Sequence, residues 1–223
     1  MQVSHESIYT YIYVLPRGSL RKELILYLRQ GKRGRQRRKR STDERGKIPN
    51  MVSIHERPKE VEGRTVPGHW ESDLIIGRRH ASAIGTLVER TTRTTILVPL
   101  KAKDAPSVRK AFAKAIQRLP KEACRSLTHD RGTEMSEHEL FTKETKVQVY
   151  FADPHSPWQR GTNENTNGLI RDFFPKGTDF TRVSVRELKR VQKLLNERPR
   201  KTLGWETPKD AFTRLLQKRA LRT

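Results

Sequence analysis

Cysteine is almost missing from this chain: Cys124 is the single one in 223 residues. That excludes a disulfide scaffold and any zinc site built on repeated thiolates. No apolar run approaches the ~20 residues of a membrane-spanning helix. The start, MQVSHESIYT, has no basic stretch leading into an apolar one, so no secretory leader is expected and a cytoplasmic location is the default. No G-x-x-x-x-G-K-[ST] loop occurs, so no ATP is expected. Hydrophobic residues make up only 33% of the chain, yet they gather into defined segments, which argues against disorder throughout.

Acid is scarce too. Lys and Arg number 47 against 25 Asp and Glu, a formal net charge of +22. Such a surface attracts a polyanion, with nucleic acid ahead of an anionic membrane surface. The stretch from Arg29 to Arg40 contributes +8 of this through eight basic residues, among them Lys32, Arg33, Arg35, Arg37, Arg38, Lys39 and Arg40, and leaves +14 for the rest. The charge is thus spread over the body and not confined to a tail. Glycine-punctuated and too charged to pack, Arg29 to Lys47 reads as a solvated linker or arm, which is compatible with holding a phosphate backbone.

The remainder divides by hydrophobic period. Ser4 is placed to cap a helix carrying Ile8, Tyr11 and Ile12, and a second helical pattern runs through Leu20, Leu24, Ile25 and Leu28. Beyond Arg57, strands are predicted at Trp70 to Ile76, Ala83 to Val88 and Thr94 to Leu100. A helix from Ala105 to Leu119 follows, with Val108, Phe112, Ala115, Ile116 and Leu119 on one side. Short strands at Arg125 to His129 and Val147 to Phe151 flank a helix from Glu137 to Thr145. Three helices close the chain: Arg160 to Phe173, Val185 to Arg198 (with Leu188, Val191, Leu194 and Leu195) and Pro208 to Leu216. Three consecutive strands suggest an antiparallel meander and the later alternation suggests parallel additions. The expected fold is therefore α/β, a mixed five-stranded sheet flanked by helices.

With so few acids, their placement is informative. Asp73 interrupts an apolar strand, WESDLII, where an unpartnered carboxylate is costly. Asp130 stands just past a strand end, and Glu164 lies in a predicted helix. Strand interior, strand end and helix can converge at one end of a mixed sheet. Carboxylates brought together raise one another's pKa unless cations neutralise them, and Mg²⁺ prefers such oxygen ligands. Two metals about 3.5–4 Å apart serve in-line phosphoryl transfer. Glu71 shares strand parity with Asp73, so the two-residue period alone does not choose between them. A buried Asp paired with Arg is the plainer reading of each acid taken singly.

The segments HWESDLIIG, LTHDRGTEM and YFADPHSPWQRGTNENTNGLIRDFFPKGTD closely resemble the insertion-sequence-thirty family of bacterial transposases. IPNMVSIHERPKEVEGR, TLVERTTR and NERPRKTLGWETP match it as well, so the resemblance covers nearly the whole chain. It implies the ribonuclease-H-like fold of the retroviral integrase superfamily and a catalytic Asp–Asp–Glu triad. It also implies divalent metal, Mg²⁺ or Mn²⁺, two per active site. Carried over, the triad and metal ligands are Asp73, Asp130 and Glu164, the last two separated by 33 residues as in the family. Arg171, seven positions past Glu164, lies on the same helix face, where related enzymes bring a basic residue to the DNA phosphate. Arg131, Arg160, Asn163 and Asn165 are further expected DNA contacts, with helix-surface packing an equal reading of the two asparagines. Glu134 is expected to be a helix-start acid, His129 and His155 structural histidines, and Trp158 a cover over the site entrance.

The chain departs from the family pattern at His129, where an aromatic is usual, and at Thr133, where lysine is usual; Ser136 and Ala152 also differ. None of these removes a carboxylate. The resemblance divides the chain into a remnant of an N-terminal helical DNA-binding region (1–28), a basic linker (29–56) and an integrase-type catalytic core with C-terminal helices (57–223). A helix that should pack against VSHESIYTYIY is missing upstream, and an N-terminally truncated copy is expected. The implied function is a DNA transposase that cleaves element ends and joins them to target DNA. It would act as a homo-oligomer on double-stranded DNA, nucleoid-associated in a bacterial cytoplasm. The alternatives are a truncated, non-catalytic DNA-binding copy that inhibits the full enzyme, and a hydrolytic nuclease of the same fold.

Overall fold

The computed structural model describes residues 3–16, 18–28 and 48–220. Two compact units result, Met1–Glu44 and Arg45–Thr223. The first holds two helices, α1 (His5–Val14) and α2 (Ser19–Tyr27). Ser4 caps α1 as expected, its hydroxyl accepting from the Ser7 N–H at 3.1 Å. Ile12 is buried, but Ile8 and Tyr11 are exposed, so the face read from the sequence is only partly covered. The basic stretch from Arg29 to Lys47 lies outside the described residues.

The second unit is built on a five-stranded sheet: β1 (His69–Ile76), β2 (Ala83–Glu89), β3 (Thr95–Pro99), β4 (Ser126–His129) and β5 (Gln148–Phe151). Their order is β3-β2-β1-β4-β5. The first three pair antiparallel, and β4 and β5 run parallel to β1. This is the meander with parallel additions that the element order predicts. The long strand β1 is central, and period-two alternation divides its side chains between two cores. Trp70 and Leu74 join the layer of α3 (Ala105–Ile116) and α4 (His138–Thr145). Ile75 joins the opposite layer of α5 (Gly161–Phe173) and α6 (Val185–Glu197), and a last helix, α7 (Pro208–Ala220), lays Phe212 against Trp70.

Local chemistry explains the helices. The Asp104 carboxylate accepts from the Ser107 N–H to start α3, with Pro106 in the first turn. Val108, Phe112, Ala113 and Ile116 form its buried face, while Ala115 and Leu119, expected there, pack at the margin. Ser184 caps α6, which buries Leu188, Val191 and Leu195 and leaves Leu194 exposed, because residue 194, though three past Val191, falls at the edge of the arc the other three share.

Both sheet edges are covered. Asn196 accepts from the Thr95 N–H and donates to its carbonyl, and Gln192 accepts from the Leu97 N–H, so α6 satisfies free backbone groups of β3. On the far edge the Phe151 N–H donates to Val52, where residue 53 bridges to β5.

Gly85 lets the Phe112 ring of α3 pack directly on the backbone of β2. A Cβ there would stand 2.2 Å from the Phe112 ring. Gly85→Ala is therefore expected to destabilise the protein by about 1–3 kcal/mol through overpacking. Pairing it with Phe112→Leu should recover part of the loss in a denaturant melt. Full tolerance of the single substitution would show that the ring has room to move.

Candidate active site

Strands β1 and β4 are parallel neighbours, with Glu71 opposite Thr128. Continuing that register sets Asp130, one residue past β4, beside Asp73. Both carboxylates thus come to the same end of the sheet. Asp73 is half-buried on the α5 face of β1. Its Oδ1 accepts from the Leu74 N–H at 2.8 Å and its Oδ2 from Asn167 Nδ2 at 2.8 Å. The Asp130 Oδ1 accepts from the Gly132 N–H at 3.0 Å.

Between the two acids lies Arg160. Its Nη1 donates to the Ser72 carbonyl at 2.9 Å and stands 3.7 Å from Asp73 Oδ2; its Nη2 stands 3.4 Å from Asp130 Oδ2. Arg160 ends the single 3₁₀ turn Pro157–Arg160 that leads into α5, and it is 6% exposed. Burial raises the Asp73 carboxyl above the ordinary range; Arg160 opposes this and Asp130 adds to it.

What holds α5 in place is Glu71, the other acid on that face of β1. It is fully buried, ion-paired with Arg90, and accepts from the Asn163 N–H at 2.8 Å. Asn163 Nδ2 returns a bond to the Glu71 carbonyl at 2.9 Å. Thr86 Oγ1 lies 3.2 Å from each of Asp73 O, Asn163 Oδ1 and Asn167 Oδ1, and its one hydrogen serves them in turn. Glu164 is exposed in the first turn of α5, three residues before Asn167 and so on the same helical face. One turn past Asn167, Arg171 donates to the Ile76 carbonyl at 2.8 Å and reaches the Phe174 and Pro175 carbonyls.

A second grouping adjoins Asp130. His129, Asp130 and Glu134 each bring one potential ligand atom within 4.8 Å of the others. Among the described residues, Asp73, Asp130 and Glu164 form no grouping that tight. His129 is fully buried, with Nδ1 at 2.8 Å from Ser72 Oγ and Nε2 at 3.3 Å from Asp130 Oδ1 and 3.7 Å from Glu134 Oε1. Burial pulls its pKa down, but Glu134 and Asp130 outweigh burial and hold it above the usual histidine range. Glu134 sits at the one-turn 3₁₀ helix Thr133–Met135, near the helix-start position its sequence suggests. Burial pushes the Cys124 thiol up to about 11, which favours its protonated form.

Besides Arg171, half-buried over the end of β1, the residues expected to meet DNA divide in three. Asn165 is exposed on α5, and Arg131, partly exposed, donates to Ala152 O and Asp153. Asn163 and Arg160 are buried and turned to protein partners. The basic residues from Lys32 to Arg40 lie outside the described residues. Trp158 is 72% exposed, two positions from Arg160, instead of packed as a cover. Sequence reasoning did not find Asn167 as a partner of Asp73, although its spacing from Glu164 could have suggested it.

The fold is the ribonuclease-H-like arrangement of an integrase-type core. The integrase core domain family matches residues 64–157, a span that contains Asp73 and Asp130 and stops before Glu164. The catalytic core domain of BIV integrase, a solved structure, superposes with a TM-score of 0.52 at 17% identity, covering 69% of this chain and 98% of that one. The transposase for insertion sequence element IS1086 of Cupriavidus metallidurans is 50% identical over 97% of this chain and 64% of its own length. Transposase InsI for insertion sequence element IS30A of Escherichia coli is 46% identical over 96% of this chain and 56% of its own. Over nearly its whole length the chain is similar to these insertion-sequence transposases, and it spans between 56% and 64% of the length of the two relatives.

Removing the Glu71 side chain should be costly. Glu71→Ala leaves the buried Arg90 guanidinium and the Asn163 N–H without their carboxylate, an expected loss of about 3–5 kcal/mol in a denaturant melt. A loss under about 1 kcal/mol, the range of exposed pairs, would show that Arg90 finds another partner.

Proposed function

We propose that this chain supplies the catalytic core of a metal-dependent DNA transposase. In this reading a water attacks the phosphodiester at an element end and releases a 3′-hydroxyl. That hydroxyl then attacks a target phosphodiester, displacing its 3′-oxygen, so one bond forms as one breaks and no ATP is consumed. The observation that supports this best is the pair Asp73 and Asp130, brought together at the ends of adjacent parallel strands and sharing one buried counter-cation.

The residues fit a hard divalent cation. Asp73, Asp130 and Glu164 offer carboxylate oxygens, and the first two stand together at the ends of neighbouring parallel strands, a hard-oxygen donor set of the kind such ions prefer. Asp73, Asp130 and Glu164 would hold Mg²⁺ or Mn²⁺, two per site. The metal supplies nucleophile activation and charge stabilisation at the leaving oxygen. Asn167 orients Asp73 through its 2.8 Å bond, and the Gly132 N–H orients Asp130. The exposed position of Glu164 leaves it free to meet ions and DNA from the solvent side.

The basic excess of +22 would hold the phosphate backbone, with the residues from Lys32 to Arg40, Arg131, Asn165 and Arg171 among the contacts. Arg171 would keep its carbonyl anchors while presenting charge near the end of β1. Two element ends call for at least two copies of the chain, and affinity for DNA would place the protein on the nucleoid. Among the described residues no helix is long and apolar enough to cross a membrane.

The deciding experiment incubates pre-cleaved element ends with a target plasmid and Mg²⁺. Joined product is expected from the native chain. Asp73→Asn, Asp130→Asn and Glu164→Gln should each reduce it to background while DNA binding stays within about twofold, because these acids contribute no phosphate attraction. Hydrolysis without joining would instead identify a nuclease. No reaction at all would leave a DNA-binding copy. Retained Mg²⁺-dependent joining by Asp130→Asn would overturn the triad.

A further inference from the structure

Arg160 is an unusual neighbour for two metal-binding acids. A residue that only contacted a phosphate backbone would be expected at the surface, yet Arg160 is 6% exposed. Its guanidinium is not simply parked among carbonyls either. One nitrogen is tied to the Ser72 backbone at 2.9 Å, and the planar fork spans the gap between Asp73 Oδ2 and Asp130 Oδ2 at 3.7 and 3.4 Å. Both distances are longer than those of a tight, charge-assisted hydrogen bond, so the guanidinium holds the acids mostly by charge. The only short bond among the three is the one to the uncharged Ser72 carbonyl.

We propose that Arg160 is a built-in cation that stands in for metal between Asp73 and Asp130, and that a divalent cation must displace its guanidinium from that gap to bind. The inference rests on the reading of Asp73 and Asp130 as metal ligands and adds a competitor within the same chain. Without a cation, two half-buried carboxylates at the ends of neighbouring strands would repel each other. Arg160 satisfies both and keeps the metal-free site folded. When a divalent ion enters, three positive charges in one small space cannot all be favourable, and the most mobile one leaves. The turn Pro157–Arg160 is a single 3₁₀ turn with Trp158 exposed, held from the side by the Gln159–Asp153 hydrogen bonds, so the long Arg160 side chain can swing out of the gap while its backbone stays anchored. The displaced guanidinium then faces the side from which a phosphate would approach. Arg160 is thus a positioning residue that couples cation entry to the withdrawal of its own side chain from the gap.

The test is a calorimetric Mn²⁺ titration of the full chain without DNA, run on the native protein, Arg160→Gln and Asp130→Asn. Arg160→Gln should bind Mn²⁺ on the order of tenfold more tightly, since the competing charge is gone. In chelator its melting temperature should fall below that of the native chain, and saturating Mn²⁺ should close that difference. Arg160→Lys, which keeps the charge but loses the two-pronged fork, guards against a glutamine variant that fails to fold. It should bind more tightly than the native chain by a smaller factor. A structure of the native chain with Mn²⁺ should show the guanidinium withdrawn from at least one of the two acids. Equal Mn²⁺ affinity in the native and Arg160 variants, or a guanidinium still spanning both acids with Mn²⁺ bound, would overturn the inference. Loss of Mn²⁺ binding in Asp130→Asn under those same outcomes would leave the metal-ligand reading intact. Unchanged binding in Asp130→Asn would overturn both.

Discussion

Glu71 is the constraint on which the site depends. A fully buried carboxylate on a central strand must be paired, and Glu71 is paired twice over, by the Arg90 guanidinium and by the Asn163 N–H at the start of α5. The second bond ties a helix to a strand at one residue pair. Once Asn163 is fixed, helical geometry fixes the rest: Glu164 points to solvent, Asn167 reaches Asp73 a turn later, and Arg171 reaches the end of β1 a turn after that. The charge that looks catalytic from parity alone is therefore the charge that aligns the residues around it. Parity puts Glu71 and Asp73 on one face; burial separates their tasks. Glu71 lies deep, with its oxygens committed to Arg90 and α5, whereas Asp73 lies two residues nearer the strand end and keeps one side toward solvent.

The sheet makes that alignment possible by a topological choice. Placing β4 parallel to β1 brings the exits of two strands side by side, and an acid just past each exit meets its counterpart without any loop having to be precise. An antiparallel partner would have sent the second acid to the far end. The covered edges complete the frame. α6 holds β3 through Asn196 and Gln192, and residues 52 and 53 hold the end of β5 at Phe151, so each edge is pinned at defined positions.

Most of the fold was legible in the sequence because hydrophobic period and turn residues decide it locally. All five strands and the flanking helices lie within a few residues of their predicted positions. Ile8 and Tyr11 share a face with the buried Ile12 and yet are exposed, because sequence period describes a face, not its width. The site was legible in a different way. Asp73, Asp130 and Glu164 stood out because acids are rare in this chain and because their segments resemble a known family. Their supports did not stand out. Asn163 and Arg160 look like surface residues in a basic chain, and only the packing of α5 on β1 shows that both are buried. A single charged residue has the same letter whether it faces water or a carboxylate; the distinction is set by elements that are distant in sequence. Arg160 and Ser72, for example, are separated by 88 positions.

The basic excess is only partly a property of the surface. A net charge of +22 suggests a surface meant for phosphate, yet several arginines of the core serve its interior. Arg90 neutralises Glu71, Arg160 neutralises the paired aspartates, and Arg171 spends donors on backbone carbonyls. Burial lowers the pKa of Arg57, Arg90, Arg93 and Arg171, the signature of cations taken partly out of water. Guanidinium suits that work because it is weakly hydrated and its planar fork can meet two acceptors at once. Net charge therefore overstates the surface available for DNA, and the exposed residues must be counted one by one. The interior arginines make a different contribution. They let a chain this basic keep Glu71, Asp73 and Asp130 close together, each with a guanidinium beside it.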